Sequence, residues 1–226
     1  MIEQASRVSF FSAFILLCSL ISLFPSPPLY NDNKLILSDS ITLQYKFNKI
    51  YEISPDSSLL IDNVCNLIYW YYSANNLFFI DNGYLCTFNF YTHKTDTISF
   101  YSFARSFIYK PDALYILDNR GISRNNILLI NGYIKYFTIA NTSILFFLEN
   151  DTLYSRNIFS LRDSLIDTNI TSFCTTCSGD LIYLKNDTLF KNGLFISKFK
   201  YIPQKMYVIK NRIIIYAKDS IFTFNY

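Results

Sequence analysis

Asn150-Asp151-Thr152-Leu153-Tyr154 returns as Asn186-Asp187-Thr188-Leu189-Phe190, 36 residues further along the chain. A run of large apolar residues precedes each copy, Ile144 to Leu148 before the first and Leu181 to Leu184 before the second. A further apolar segment follows each, Ile158-Phe159 and Leu194-Phe195. Self-similarity at such a period marks one supersecondary unit repeated along the chain. Asp219-Ser220-Ile221-Phe222 continues the pattern, and Asp39-Ser40-Ile41 opens it. Weaker copies run from Leu77 to Leu85 and from Leu114 to Ile122. On this alignment Asp39, Asp151, Asp187 and Asp219 occupy equivalent turns.

Each unit reads as β structure. The apolar runs are short and rich in Ile, Phe and Tyr, which suit a pleated, half-buried surface. Three of the five glycines fall in Asn82-Gly83, Asn131-Gly132 and Asn192-Gly193. Asn-Gly supplies the two positive φ angles of a tight hairpin turn. Leu181 to Phe199 is the clearest case, a three-stranded meander with turns at Asn186-Asp187 and Asn192-Gly193. Strong helix formers are scarce, with three Glu, seven Ala and three Gln. The 19 Tyr and 22 Phe are read mainly as core. Six units at spacings of about 30 to 43 residues give an all-β chain, a β-propeller of six short blades. Units this short are tight for four strands, so five blades or three-stranded blades also fit.

Val8 to Phe24 is a 17-residue stretch without charge, preceded by Arg7 and ended by Pro25, Pro27 and Pro28. As a helix it would span about 25 Å, a little short of a bilayer's hydrocarbon core. A cleaved signal peptide and an uncleaved signal anchor both fit. No small-x-small cleavage site stands out near the prolines, which favours the anchor. The domain reading is therefore 1–28 as signal anchor or signal peptide with a proline-rich stop, and 29–226 as propeller. Arg7 favours a cytoplasmic N-terminus, leaving the repeats lumenal or exoplasmic at a secretory-pathway membrane, in the endoplasmic reticulum or at the cell surface. Asn141, Asn150, Asn169 and Asn186 match the glycosylation pattern, but Asn is so common here that they add nothing to this reading.

Motifs that carry chemistry are sparse. Cys174-Thr175-Thr176-Cys177 leads into a strand, whereas a redox pair needs a helix N-terminus, so a local disulfide or buried thiols are expected. Strand pairing through Asn75-Asn76 and Asn82-Gly83 sets Cys86 near Phe79 and Phe79 near Trp70, which leaves Cys65 too far from Cys86 for a bridge. His93, the only histidine, lies in a polar loop, and neither a nucleophile elbow nor a phosphate-binding loop is present. No catalytic residue, cofactor or metal is assigned.

Charge is uneven. Between Asp187 and Asp219 there is no acid, while Lys191, Lys198, Lys200, Lys205, Lys210, Arg212 and Lys218 exceed the whole chain's net charge of +3. Lys198, Lys200, Lys205, Lys210 and Arg212 form the candidate basic docking face, for an acidic protein surface or anionic lipid headgroups. A net charge this small argues against nucleic acid as the partner.

Leu77-Phe-Phe-Ile-Asp-Asn-Gly-Tyr-Leu-Cys-Thr-Phe-Asn-Phe-Tyr-Thr-His-Lys-Thr95 resembles the repeated unit of quinoprotein-like and WD-like β-propellers. Leu67-Ile68-Tyr69-Trp70 and Leu114 to Asp118 are similar to the Tyr-Trp-Thr-Asp class. The single Trp and the absence of an intact Tyr-Trp-Thr-Asp motif depart from both patterns. Quinone and calcium binding are therefore not carried over. The resemblance implies a rigid platform for protein docking. The reading is a noncatalytic interaction subunit at a secretory-pathway membrane. Its alternatives are a lumenal or secreted enzyme or glycan binder, and a cytosolic interaction propeller.

Overall fold

The computed structural model describes residues 34–36, 41–53, 58–73, 75–140, 143–176, 178–203, 205–209, 212–218 and 220–225. The N-terminal apolar stretch, Asp39, Cys177, Lys210 and Asp219 lie outside them.

All regular structure among these residues is β, in six antiparallel sheets formed in chain order. Sheet 1 holds β1 (Lys34–Ile36), β2 (Thr42–Lys46), β3 (Lys49–Ile53) and β4 (Ser58–Ile61). Sheet 2 holds β5 (Leu67–Ser73), β6 (Asn76–Asp81), β7 (Tyr84–Asn89) and β8 (Lys94–Phe100). Sheet 3 holds β9 (Ser106–Lys110), β10 (Ala113–Asp118), β11 (Gly121–Arg124) and β12 (Ile127–Asn131). Sheet 4 holds β13 (Ile134–Ile139), β14 (Ile144–Glu149), β15 (Thr152–Asn157) and β16 (Asp163–Thr168). Sheet 5 holds β17 (Ile170–Thr175), β18 (Leu181–Lys185), β19 (Thr188–Lys191) and β20 (Leu194–Lys198). Sheet 6 has β21 (Lys205–Ile209), β22 (Arg212–Ala217) and β23 (Ser220–Asn225). Five sheets thus carry four strands and the sixth carries three described ones. Each outer strand leads directly to the inner strand of the next sheet, which is a propeller arrangement.

Turn chemistry fixes this pattern locally. The second and third strands of every sheet are joined by two residues, as in Glu149↔Thr152 and Lys185↔Thr188. Among the described residues these are Phe47-Asn48, Asn82-Gly83, Asn119-Arg120, Asn150-Asp151 and Asn186-Asp187. Asn82, Gly83, Asn150 and Asp151 all have positive φ, as a two-residue hairpin turn matched to strand twist requires. Asp151 and Asp187 both take the second position of such a connection, as the repeat indicates, although only Asp151 has a positive φ. The expected equivalence of Asp39 and Asp219 lies outside the described residues. The matching position in sheet 1 is Phe47-Asn48. Leu35 and Ile36 lie in the inner strand β1, whereas the runs before Asp151 and Asp187 are second strands. Asn131-Gly132 departs from expectation. It ends β12 and joins sheets 3 and 4 rather than closing a hairpin.

The core lies between neighbouring sheets. Trp70, Leu77 and Phe79 pack on Leu43 and Ile50 across sheets 1 and 2. Phe78 and Ile80 meet Phe107 and Ile116 across sheets 2 and 3. Phe137 and Phe147 meet Tyr115 and Leu117 across sheets 3 and 4. Phe146 and Leu148 meet Phe173 and Tyr183 across sheets 4 and 5. Ile182 and Leu184 meet Met206 and Ile215 across sheets 5 and 6. Each such large side chain contributes about 1.5–3 kcal/mol on burial. Both faces of strands such as β6 and β14 are therefore packed, each against a different neighbouring sheet, and loops and outer strands remain for other contacts.

Candidate interaction surfaces

The loops are sorted onto two ends by backbone hydrogen bonds. The segment leaving each outer strand folds over the two-residue turn of its own sheet. Val64 N donates to Asn48 O at 2.9 Å, Tyr101 N to Gly83 O at 2.7 Å, and Gly132 N to Arg120 O at 3.1 Å. Ile170 N donates to Asp151 O at 2.9 Å and Phe199 N to Asp187 O at 2.8 Å. This end is called the upper face. At the lower face the opposite turns meet in the same way, as in Phe90 N to Asn75 O at 3.1 Å and Ile158 N to Ser143 O at 3.0 Å.

The upper face carries exposed aromatic and aliphatic tips. Phe47 is 77% exposed, Phe103 71%, Tyr133 70% and Ile202 63%. Cations sit over several of these rings. Lys46 Nζ lies 4.6 Å from the Phe47 centroid and the Arg105 guanidinium 5.6 Å from that of Tyr133. Lys200 and Lys218 both lie over Tyr201, at 5.4 and 5.0 Å. Phe47 holds this place with a φ of 53°, in a region where bulky side chains are rare and costly.

Ion pairs and one buried carboxylate brace the same end. Asp118 is buried and accepts the Tyr101 hydroxyl at 2.7 Å, the Arg120 amide at 2.7 Å and Arg120 Nη2 at 2.8 Å. Burial alone would push its pKa up, but Arg120 and Tyr101 outweigh this and hold the carboxyl below its ordinary value. Lys185 pairs with Asp167 at 2.6 Å across sheets 4 and 5. Burial, then Asp167, pushes the nearby Tyr183 hydroxyl up to about 12. These groups are engaged with one another and have a structural task.

The lower rim differs in character. Leu194, Phe195 and Ile196 are consecutive residues of the outer strand β20, and they are 72%, 63% and 42% exposed. Ile127 and Leu128 of β12 are exposed, as are Phe159 and Leu161 beside β16. Three consecutive sheets thus present apolar side chains on or beside their outermost strands.

The structure divides the basic run. Lys198 ends β20 and pairs with Asp187 at 3.6 Å. Lys200 follows on the upper face beside Tyr201 and Lys218. Lys205 opens β21 opposite Tyr216, whereas Arg212 opens β22 opposite Ile209, at the other end of that hairpin. Lys198, Lys200 and Lys205 therefore belong to the upper end and Arg212 to the lower. Sequence reading did not single out Phe47, Phe103, Tyr133, Tyr201 or the β20 rim, because an aromatic-rich chain hides surface rings among core ones.

Cys65 and Cys86 are free thiols, the first exposed and the second buried. Cys86 pairs with Phe79 and Phe79 with Trp70, as the turn positions indicate. Cys174 is a free thiol in β17, and burial pushes its pKa up. His93 sits in the turn before β8, its ring 6.0 Å from that of Phe88. Among the described residues, no group of three or more His, Cys, Asp and Glu is placed to hold a metal ion. No helix among them is long and apolar enough to cross a membrane.

No family model and no curated protein matches this sequence. Solved structures match the fold. PorZ, described as an essential bacterial surface component of the type-IX secretion system of Porphyromonas gingivalis, aligns at a TM-score of 0.56 with 10% identity, over 91% of this chain and 34% of PorZ. The N-terminal domain of Nup159 aligns at 0.54 with 8% identity, over 84% of this chain and 74% of that domain. A chain of the mitotic checkpoint complex aligns at 0.59 with 9% identity, over 92% of this chain and 78% of that chain. The chain spans about a third of PorZ and of the other bacterial extracellular domains that it matches. At these identities the likeness concerns architecture, and together with the six sheets it makes this chain an all-β propeller.

Proposed function

We propose that this chain is a noncatalytic propeller scaffold that docks a protein partner, held at a secretory-pathway membrane by its N-terminal apolar segment, with the propeller lumenal or exoplasmic. The observation that carries the docking part is β20. Leu194, Phe195 and Ile196 stand exposed in sequence on an outermost strand, flanked by the apolar outer positions of sheets 3 and 4. A long apolar edge is an aggregation hazard unless something covers it. Aromatic and aliphatic anchors of this kind dominate the buried centres of protein interfaces. Neighbouring folds named for a secretion system and for the mitotic checkpoint complex support the reading by analogy of architecture.

Leu194→Asp with Phe195→Asp tests the docking part. The tagged double variant should lose the protein that co-purifies with the wild type, at an unchanged melting temperature. Recovery of that protein in wild-type amounts would remove the rim from consideration. Carbonate extraction and protease protection of a C-terminally tagged chain test the membrane part. Release by carbonate, or digestion of the tag in intact vesicles, would defeat anchoring or sidedness respectively.

A further inference from the structure

We propose that the upper face is a bilayer-facing surface, with its aromatic tips at headgroup depth and its lysines against anionic lipid. Two observations converge. Phe47, Phe103, Tyr133, Tyr201 and Ile202 come from turns and loops of different sheets, yet all project from one end. Tyr133 and Tyr201 carry amphipathic rings with polar tips, which prefer the membrane–water interface, and Phe47, Phe103 and Ile202 add apolar surface beside them. Lys46, Lys200 and Lys218 lie beside those rings, where each cation gains attraction to an anionic leaflet.

This inference shares with the proposed function the membrane contact of residues 8–24 and adds the orientation, so the two are tested apart. The full chain is reconstituted into vesicles of equal parts phosphatidylcholine and phosphatidylserine containing brominated lipid. Tyr133→Trp and Tyr201→Trp place reporters on the upper face, and Phe159→Trp and Leu194→Trp on the lower. The single native tryptophan, Trp70, is buried and supplies a constant background. The upper reporters should be quenched by at least half, and the lower ones should stay at background. Lys200→Glu with Lys218→Glu should reduce upper-face quenching severalfold at low salt and less at high salt.

Equal quenching at both ends overturns the orientation, as does stronger quenching at Phe159→Trp and Leu194→Trp. Unquenched upper reporters in a chain that still resists carbonate extraction leave the anchor standing and remove the lipid-facing surface. An acidic protein as occupant of this face gives that same unquenched result. Quenching that persists unchanged in pure phosphatidylcholine, and in the double Glu variant, overturns the anionic part of the proposal.

Discussion

The Tyr71 hydroxyl accepts the backbone N–H of Tyr109 at 2.8 Å, tying inner strand β5 to inner strand β9, 38 residues away. Tyr136 repeats the device between β13 and β17, where its hydroxyl accepts the Phe173 amide at 3.0 Å. Inner strands have one edge with no strand beside it in their own sheet, and a buried amide there needs a partner. Both hydroxyls are buried deeply enough to push their pKa values up. Tyr71→Phe and Tyr136→Phe should each destabilise by about 1–3 kcal/mol, the cost of an orphaned buried donor. Urea unfolding checks this, and a change near zero would show that these amides find another acceptor.

Asp118 should make acid stability measurable. Its carboxyl is held below its ordinary value in the folded state, so its contribution is complete above the unfolded pKa near 4 and is lost as pH falls through the folded value. Wild type should therefore lose more stability than Asp118→Asn between neutral pH and pH of about 3. Chemical denaturation of both proteins at the two pH values gives the difference. Parallel losses would mean that the Arg120 and Tyr101 contacts contribute nothing net.

Gly83 and Gly193 share a turn conformation but not a neighbourhood. Their φ angles are 83° and 82°. A side-chain carbon at Gly83 would meet the Ser102 Cα at 2.9 Å, whereas none at Gly193 meets anything within 4 Å. Gly193→Ala should cost about 1–2 kcal/mol, the left-handed penalty alone. Gly83→Ala should cost clearly more, because the Tyr101 loop must shift off its turn. Melting curves of the two variants should separate, and coincident curves would contradict the close packing of that loop.

Thiol reactivity should follow burial. Cys65 is exposed and should react with iodoacetamide in the native protein. Cys86 and Cys174 are buried, with thiols whose pKa values burial raises, and should react only after unfolding. Peptide mapping of briefly labelled native protein reads this directly. Early labelling of Cys174 would show that sheets 5 and 6 separate locally.

Strand-level structure was legible because its determinants are local. The meander from Leu181 to Lys198 appears where alternation and the turn residues put it, and the Cys86, Phe79 and Trp70 register follows from counting back from two turns. Short apolar runs and Asn-rich turns set strand length and pairing before any distant contact forms. Asn131-Gly132 was misassigned because an Asn-Gly pair serves a loop between sheets as well as a hairpin.

Only the tertiary structure decided which residues share a face. Lys205 and Arg212 are neighbours in a basic run, yet a single antiparallel hairpin sends them to opposite ends. Phe47 and Tyr201 are 154 residues apart in sequence, yet the same sorting of turns and loops brings both to the upper face. Sequence proximity carries charge patterning only as far as the next turn, because each reversal exchanges top for bottom. The sequence by itself determined the repeat, its strands and its tight turns, through propensity and periodicity. The packing of sheet against sheet decided which of its many aromatic rings are core and which are free to meet another surface.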